Sequence, residues 1–76
     1  MDRLTLYSRQ GCHLCDDARR ELERFLPAKR IVEVDVDGSA ELRRRYGFDI
    51  PVAVWRGQTL FRHRFDPDCI GMLRDD

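Results

Sequence analysis

Two cysteines separated by two residues are the feature of this sequence best suited to chemistry. They lie in Cys12-His13-Leu14-Cys15, directly after the polar stretch Ser8-Arg9-Gln10-Gly11. A helix beginning near Cys12 would place the first thiol where free backbone N–H groups and the positive end of the helix dipole converge, which favours the thiolate. Cys15, one turn later, could attack a disulfide formed at Cys12 and release the bound thiol. The spacing predicts a nucleophilic Cys12 and a resolving Cys15.

Two neighbours could add positive potential beside Cys12. Arg9 precedes it by three residues, and His13 follows it directly. The competing interpretation of Arg9 is a solvated loop cation. For the cysteine pair, the competing interpretations are inert core thiols or half of a zinc site. A structural zinc site takes about four thiolate or imidazole ligands, and Cys69 and His63 are the distant candidates. We therefore predict no metal site.

A strand and a helix must position these cysteines. Residues 3–8 and 31–36 are rich in β-prone side chains and predict two strands. Between them, apolar residues recur at helical spacing from about Cys12 until Pro27 ends the segment. The expected apolar face consists of Leu14, Ala18, Leu22, Phe25 and Leu26. Strand, helix and strand in about thirty residues form a βαβ unit with parallel strands.

The second half of the chain predicts a shorter helix, a hairpin and a last helix. Ser39 and Gly47 are suitable caps for the shorter helix, and Asp66 caps the last one. The two hairpin strands are joined by a turn too short for a crossover, so they are expected to be antiparallel. We expect Trp55 and Phe61 to be core or sheet-face residues, Cys69 a small core residue and His63 a satisfied polar group. The predicted segments are 40–46, 52–55, 60–65 and a helix starting at Pro67.

The predicted element order is β-α-β-α-β-β-α, an α/β fold in a single domain over residues 1–76. A chain of 76 residues with 42% apolar residues leaves no room for a second domain. Its 14 basic and 14 acidic residues give no net charge, which argues against nucleic acid or an anionic membrane as a partner. The run Arg43-Arg44-Arg45 is flanked by Glu41 and Asp49 and is interpreted as a solvated helix face.

The length of the apolar runs and the cysteine usage bear on the compartment. A signal peptide needs about 7 apolar residues in a row and a spanning helix about 20, and neither is found. Three cysteines with one close pair are typical of an intracellular redox or metal motif rather than of a disulfide-stapled secreted domain. We expect a cytoplasmic protein.

The segment from Leu6 to Cys15, Leu-Tyr-Ser-Arg-Gln-Gly-Cys-His-Leu-Cys, resembles the active-site stretch of glutaredoxins, in the thioredoxin-fold superfamily. Ile50-Pro51-Val52 resembles that family's loop before the third strand. The resemblance covers nearly the whole chain. It implies a four-stranded mixed sheet flanked by helices, and a cis bond before Pro51 facing the cysteines; an ordinary trans proline is the alternative. The family binds glutathione through a cation three residues before the first cysteine and through main chain before the proline, which implies that role for Arg9 and Ile50.

Two departures from the glutaredoxin pattern stand out. His13-Leu14 replaces the family's Pro-Tyr, so the reduction potential does not follow by analogy. Phe65-Asp66-Pro67-Asp68 lacks the glycine pair of the family's Gly-Gly-x-Asp turn, where glutathione would approach the backbone.

The resemblance implies a thiol–disulfide oxidoreductase that reduces protein or glutathione mixed disulfides. We expect a monomer without a bound cofactor, glutathione as a candidate co-substrate, and a reductase as electron donor. Two alternatives stay open. One is a binding or redox-switch module without turnover. The other is an iron–sulfur or metal-binding protein with one Cys12 from each of two chains at the cluster.

Overall fold

Residues 2–73 are described by the structure, a computed structural model, and they contain a four-stranded sheet in the order β2-β1-β3-β4. Two α-helices and three short 3₁₀ segments complete this part of the chain. The strands are β1 (Leu4–Ser8), β2 (Ile31–Asp35), β3 (Val52–Trp55) and β4 (Gln58–Arg62). The helices are α1 (His13–Glu23) and α2 (Ala40–Tyr46), and the 3₁₀ segments are Ala28–Arg30, Val36–Gly38 and Pro67–Leu73.

Strand register brings two distant loops to one edge of the sheet. β1 is parallel to β2, with Ser8 opposite Asp35 at the end of both strands. β1 is antiparallel to β3, with Tyr7 opposite Val52. The end of β1, which leads to Cys12, therefore lies beside the beginning of β3, which follows Pro51. The predicted mixed α/β sheet, including the antiparallel hairpin of β3 and β4, is confirmed.

The hydrophobic core packs α1 and the 3₁₀ segment Pro67–Leu73 with the strands. Trp55, Phe61 and Cys69 are buried in it, as predicted. On the other side of β1, the ring of Tyr7 stacks on Tyr46 of α2 with centroids 4.1 Å apart. The buried core consists of Leu4, Leu6, Ala18, Leu22, Leu26, Ile31, Ala53, Trp55, Phe61, Cys69 and Leu73.

The predicted apolar face of α1 was wrong at two positions. Leu14 is 52% exposed and Phe25 48% exposed. Cys15 takes the buried position that we assigned to Leu14, so the buried stripe starts one residue later. The helix also ends at Glu23, before Pro27, and the capping Arg24 N–H donates to Glu21 and Leu22 carbonyls. Phe25 lies beyond that end, where helical periodicity no longer sets its direction.

The predicted caps of the shorter helix are confirmed. Ser39 Oγ accepts a hydrogen bond from the Leu42 N–H at 3.1 Å. At the other end the Gly47 N–H donates to the Arg43 carbonyl at 2.9 Å. A Cβ at Gly47 would clash with that carbonyl oxygen, so a side chain there would displace backbone.

Two boundaries in the last third of the chain differ from the prediction. β4 spans Gln58–Arg62 rather than 60–65, because His63 adopts a left-handed backbone with φ of 72° and ends the strand. The last helix is 3₁₀, Pro67–Leu73. Asp66 caps it as expected, its carboxylate accepting from the Asp68 N–H at 2.9 Å.

Candidate active site

Cys12 is the N-cap residue of α1. Its extended backbone places Sγ where the side chain accepts a hydrogen bond from the Cys15 N–H at 3.2 Å. The Cys12 N–H itself donates to the Arg9 carbonyl at 3.3 Å, which ties the loop to the helix start. Serine or aspartate oxygen usually fills this capping position. A sulfur there receives a backbone N–H and lies at the positive end of the helix dipole.

Cys15 lies one turn later and is fully buried, whereas Cys12 is half-buried. Both are free cysteines. Burial, and next hydrogen bonding with the Cys12 side chain, raises the pKa of the Cys15 thiol to about 12. Cys15 therefore keeps its proton at neutral pH. The two thiols of one motif thus stand in different environments, one accessible at a helix end and one enclosed.

Arg9 is held by an acidic partner that the sequence analysis did not identify. Its Nε and Nη2 donate to the two carboxylate oxygens of Asp37 at 2.9 and 3.1 Å. The hydrogen bond to Asp37 is the largest cause of a raised pKa at Arg9, and the Cys12 side chain is a minor cause. Asp37 follows β2, whose end lies beside the end of β1. The acidic run after a strand parallel to β1 was therefore a usable signal.

A second polar group lies between the ends of β1 and β2. Ser8 is buried, and its hydroxyl donates to Glu33 at 2.7 Å. Arg19 of α1 donates to the other oxygen of the same carboxylate at 3.2 Å. Glu33 is also a minor cause of the raised Cys15 pKa, so its charge is felt at the buried thiol. This cluster links both strands to the helix that carries the cysteines.

The other candidate residues from the sequence differ in where they lie and in how far they are buried. The Ile50–Pro51 peptide bond is cis, Pro51 is buried, and Ile50 is half-buried. Both precede β3 directly, next to the end of β1. His13 is exposed in the first turn of α1. His63 is an exposed residue whose Nε2 lies 3.8 Å from an Asp49 carboxylate oxygen.

Neither a metal cluster nor a spanning helix is found within residues 2–73. No group of three or more His, Cys, Asp or Glu side chains in that range is placed to hold a metal ion. No helix in the same range has the length and apolar character needed to cross a membrane. Cys69, the third cysteine, is buried in the hydrophobic core, and burial raises the pKa of its thiol to about 11.

Comparison with known proteins adds a family and two similar structures. The family described as Glutaredoxin-like domain (DUF836) matches residues 3–72 of the chain. The solution NMR structure of Protein Ne2328 from Nitrosomonas europaea is 29% identical, with a TM-score of 0.72, over 92% of this chain and 87% of that one. The X-ray structure of the structural-genomics target protein XcR50 from X. campestris is 35% identical, with a TM-score of 0.69, over 88% of each chain.

Proposed function

The chain belongs to the glutaredoxin-like domain family, and from this membership and its cysteine geometry we propose that it is a thiol–disulfide oxidoreductase. Cys12 is the nucleophile and Cys15 the resolving cysteine. One observation carries the proposal above the others: the Sγ of Cys12 caps α1 and accepts the Cys15 N–H at 3.2 Å, while the Cys15 thiol is fully buried. The pair is thereby divided into a half-buried attacking sulfur and a fully buried second sulfur.

The first step is attack on the substrate by the Cys12 thiolate. Its electron pair forms a bond to one sulfur of a substrate disulfide, the substrate S–S bond breaks, and the other sulfur leaves as a thiolate that takes a proton from water. Before the attack, the Cys15 N–H and the helix dipole stabilise the negative sulfur. The product is a mixed disulfide between Cys12 and the substrate.

The second step is resolution by Cys15. Its thiol loses a proton to solvent and attacks Cys12 Sγ, which releases the remaining substrate sulfur as a thiol and leaves a Cys12–Cys15 disulfide. Two protein thiols are oxidised, and one substrate disulfide is reduced to two thiols. Part of the raised Cys15 pKa comes from interaction with the Cys12 side chain. In the mixed disulfide Cys12 carries no negative charge, so that part is relieved when Cys15 must react.

Substrate binding is proposed for the residues around this sheet edge. Arg9 lies in the loop before Cys12 and keeps a half-exposed side chain. His13, which follows Cys12 directly, is exposed. Ile50 and Pro51 lie where β3 begins, and we propose that their main chain contacts the substrate backbone. We further propose that the protein acts as a monomer without a bound cofactor, that glutathione serves as a co-substrate, and that a reductase restores the dithiol.

A single-turnover assay tests this function. Reduced protein is mixed with 2-hydroxyethyl disulfide, a neutral substrate, and the products are followed by mass spectrometry. We expect the wild type to form an internal disulfide between Cys12 and Cys15. We expect Cys15→Ser to accumulate the mixed disulfide at Cys12, and Cys12→Ser to form none.

The Cys69→Ala variant is the matched control, because it removes a buried thiol from the core and leaves the motif intact. It should turn over like the wild type. A Cys12→Ser protein that still forms a mixed disulfide at the wild-type rate would show that another thiol is the nucleophile. No reaction in the wild type would contradict the proposed function itself.

A further inference from the structure

A cleft of about 310 Å³ lies next to the Cys12 loop. It joins the β1–α1 loop to α2 and the segment after it, and we name it the arginine–Phe48 cleft. Its link to the reactive cysteine is Arg9, whose carbonyl accepts a hydrogen bond from the Cys12 N–H. The cleft thus shares the loop that carries Cys12. Its lining residues are Arg9, Ala40, Arg43, Arg44, Gly47 and Phe48.

Two arginines of the cleft have no acidic partner in the described part of the chain. Within residues 2–73, Arg43 and Arg44 are exposed and form no ion pair with a carboxylate, whereas Arg9 is paired with Asp37. Several other arginines in that range pair with acidic side chains, among them Arg19, Arg20, Arg24, Arg56 and Arg62. The whole chain has no net charge, so the excess at the cleft is local. Such a patch selects for negative charge on whatever binds there.

The cleft also exposes an aromatic ring. Phe48 is 94% exposed, more than any other exposed large apolar residue in the described part, the next being Leu14 at 52%. An aromatic side chain and arginines are the residue types enriched at the centres of protein interfaces. An apolar side chain on the ligand would cover the Phe48 ring favourably.

We propose that the arginine–Phe48 cleft binds an acidic segment of a polypeptide substrate whose disulfide is being reduced at Cys12. Carboxylates of the segment pair with Arg43 and Arg44, and a neighbouring apolar side chain packs on Phe48. Glutathione offers carboxylates but no apolar side chain to cover the Phe48 ring. The inference rests on the proposed function and names its substrate class: proteins with acidic and apolar residues next to the disulfide.

Three short peptides test the inference, each with one cysteine in a mixed disulfide with 2-mercaptoethanol. One peptide carries glutamates and a leucine beside the cysteine, one carries lysines and a leucine, and one carries glutamates and a serine. Reduced protein is mixed with each in single turnover, and release of the peptide thiol is followed by mass spectrometry. We expect the wild type to reduce the glutamate–leucine peptide about tenfold faster than the lysine–leucine peptide at low salt.

Charge and aromatic variants separate the two parts of the cleft. Reversal of both arginines, Arg43→Glu with Arg44→Glu, should remove the acidic preference, and the milder Arg43→Gln with Arg44→Gln should lower it about threefold. The milder pair keeps the test valid if the reversal unfolds α2, which circular dichroism checks. Phe48→Ala should reduce the advantage of the leucine peptide over the serine peptide.

Lys29→Glu is the matched control. It changes the net charge by as much as the Arg43→Gln, Arg44→Gln pair does, at an exposed residue before β2, at the opposite end of the sheet from Cys12. It should leave all rate ratios as in the wild type.

Three results would overturn the inference. The first is equal wild-type rates for the acidic and basic peptides. The second is that Lys29→Glu loses as much of the preference for the acidic peptide as the Arg43→Gln, Arg44→Gln variant does, which would assign the effect to net charge. The third is that the double arginine variants lose as much rate with oxidised glutathione as with the glutamate–leucine peptide, which would assign the cleft to glutathione. An unreactive wild type with 2-hydroxyethyl disulfide would instead refute the proposed function, and this inference with it.

Discussion

The buried thiol of Cys15 should resist alkylation in the folded protein far more than an ordinary cysteine. Its pKa is raised from an ordinary value of 9.0 to about 12, mainly by burial. Only the thiolate reacts with iodoacetamide. A pKa raised by about three units lowers the thiolate fraction about a thousandfold at about pH 8. Removal of Cys12 takes away the second cause of the shift but leaves burial, the largest cause, so protection should persist without Cys12.

The assay uses a Cys12→Ser, Cys69→Ala protein, in which Cys15 is the single thiol. Alkylation is followed by mass spectrometry as a function of pH, first in buffer and then in concentrated urea. The unfolded protein provides the rate of the same cysteine without burial. A Cys15→Ser, Cys69→Ala protein, in which Cys12 alone remains, is the matched control and should be labelled rapidly when folded.

The pH profile makes the test decisive. In the folded protein the rate of Cys15 labelling should keep rising above about pH 9, whereas in urea it should level off there. A folded-state plateau near pH 9, with equal rates in buffer and urea, would refute the argument that burial keeps Cys15 protonated. It would also remove the division of roles between the two cysteines.

Three further predictions concern stability, each measured by urea denaturation of the reduced protein. The free energy of unfolding should fall as pH rises from about 9 toward about 12, because two buried thiols lose their protons at lower pH in the unfolded chain than in the folded protein. Their folded pKa values are about 12 for Cys15 and about 11 for Cys69. Cys69→Ala should therefore show a smaller decline. Ser8→Ala should cost about 1 kcal/mol, because it removes a buried donor to Glu33, and an unchanged midpoint would contradict this. Leu22→Ala should cost about 2–5 kcal/mol, since the side chain is fully buried, and a cost under about 1 kcal/mol would contradict that placement.

Local signals in the sequence located the reactive part of the molecule. The Cys12–Cys15 spacing after a β-prone run predicted a helix start at the first cysteine, and Cys12 is indeed the cap of α1. Ser39 likewise predicted the start of α2. Caps and turns depend on hydrogen bonds between residues two to four apart, so the chain specifies them without reference to the rest of the fold.

Sequence periodicity predicted less well which residues of α1 are buried. Periodicity placed Leu14 on the buried face, but the structure buries Cys15 there and leaves Leu14 half-exposed. A helical pattern gives the spacing of a stripe but sets its centre only to within about one residue. Packing against the sheet decides which of two adjacent residues turns inward.

The partners of the charged side chains depended mainly on the tertiary structure. The sequence by itself determined the order of the elements, the position of the cysteine pair at a helix start and the proline before β3, because each is signalled by neighbours in the chain. Only the tertiary structure decided that Arg9 is paired with Asp37, 28 residues away, that Glu33 lies near Cys15, and that Arg43, Arg44 and Phe48 share a cleft with Arg9. The physical reason is that charge and burial act through space, and strand register decides which side chains meet.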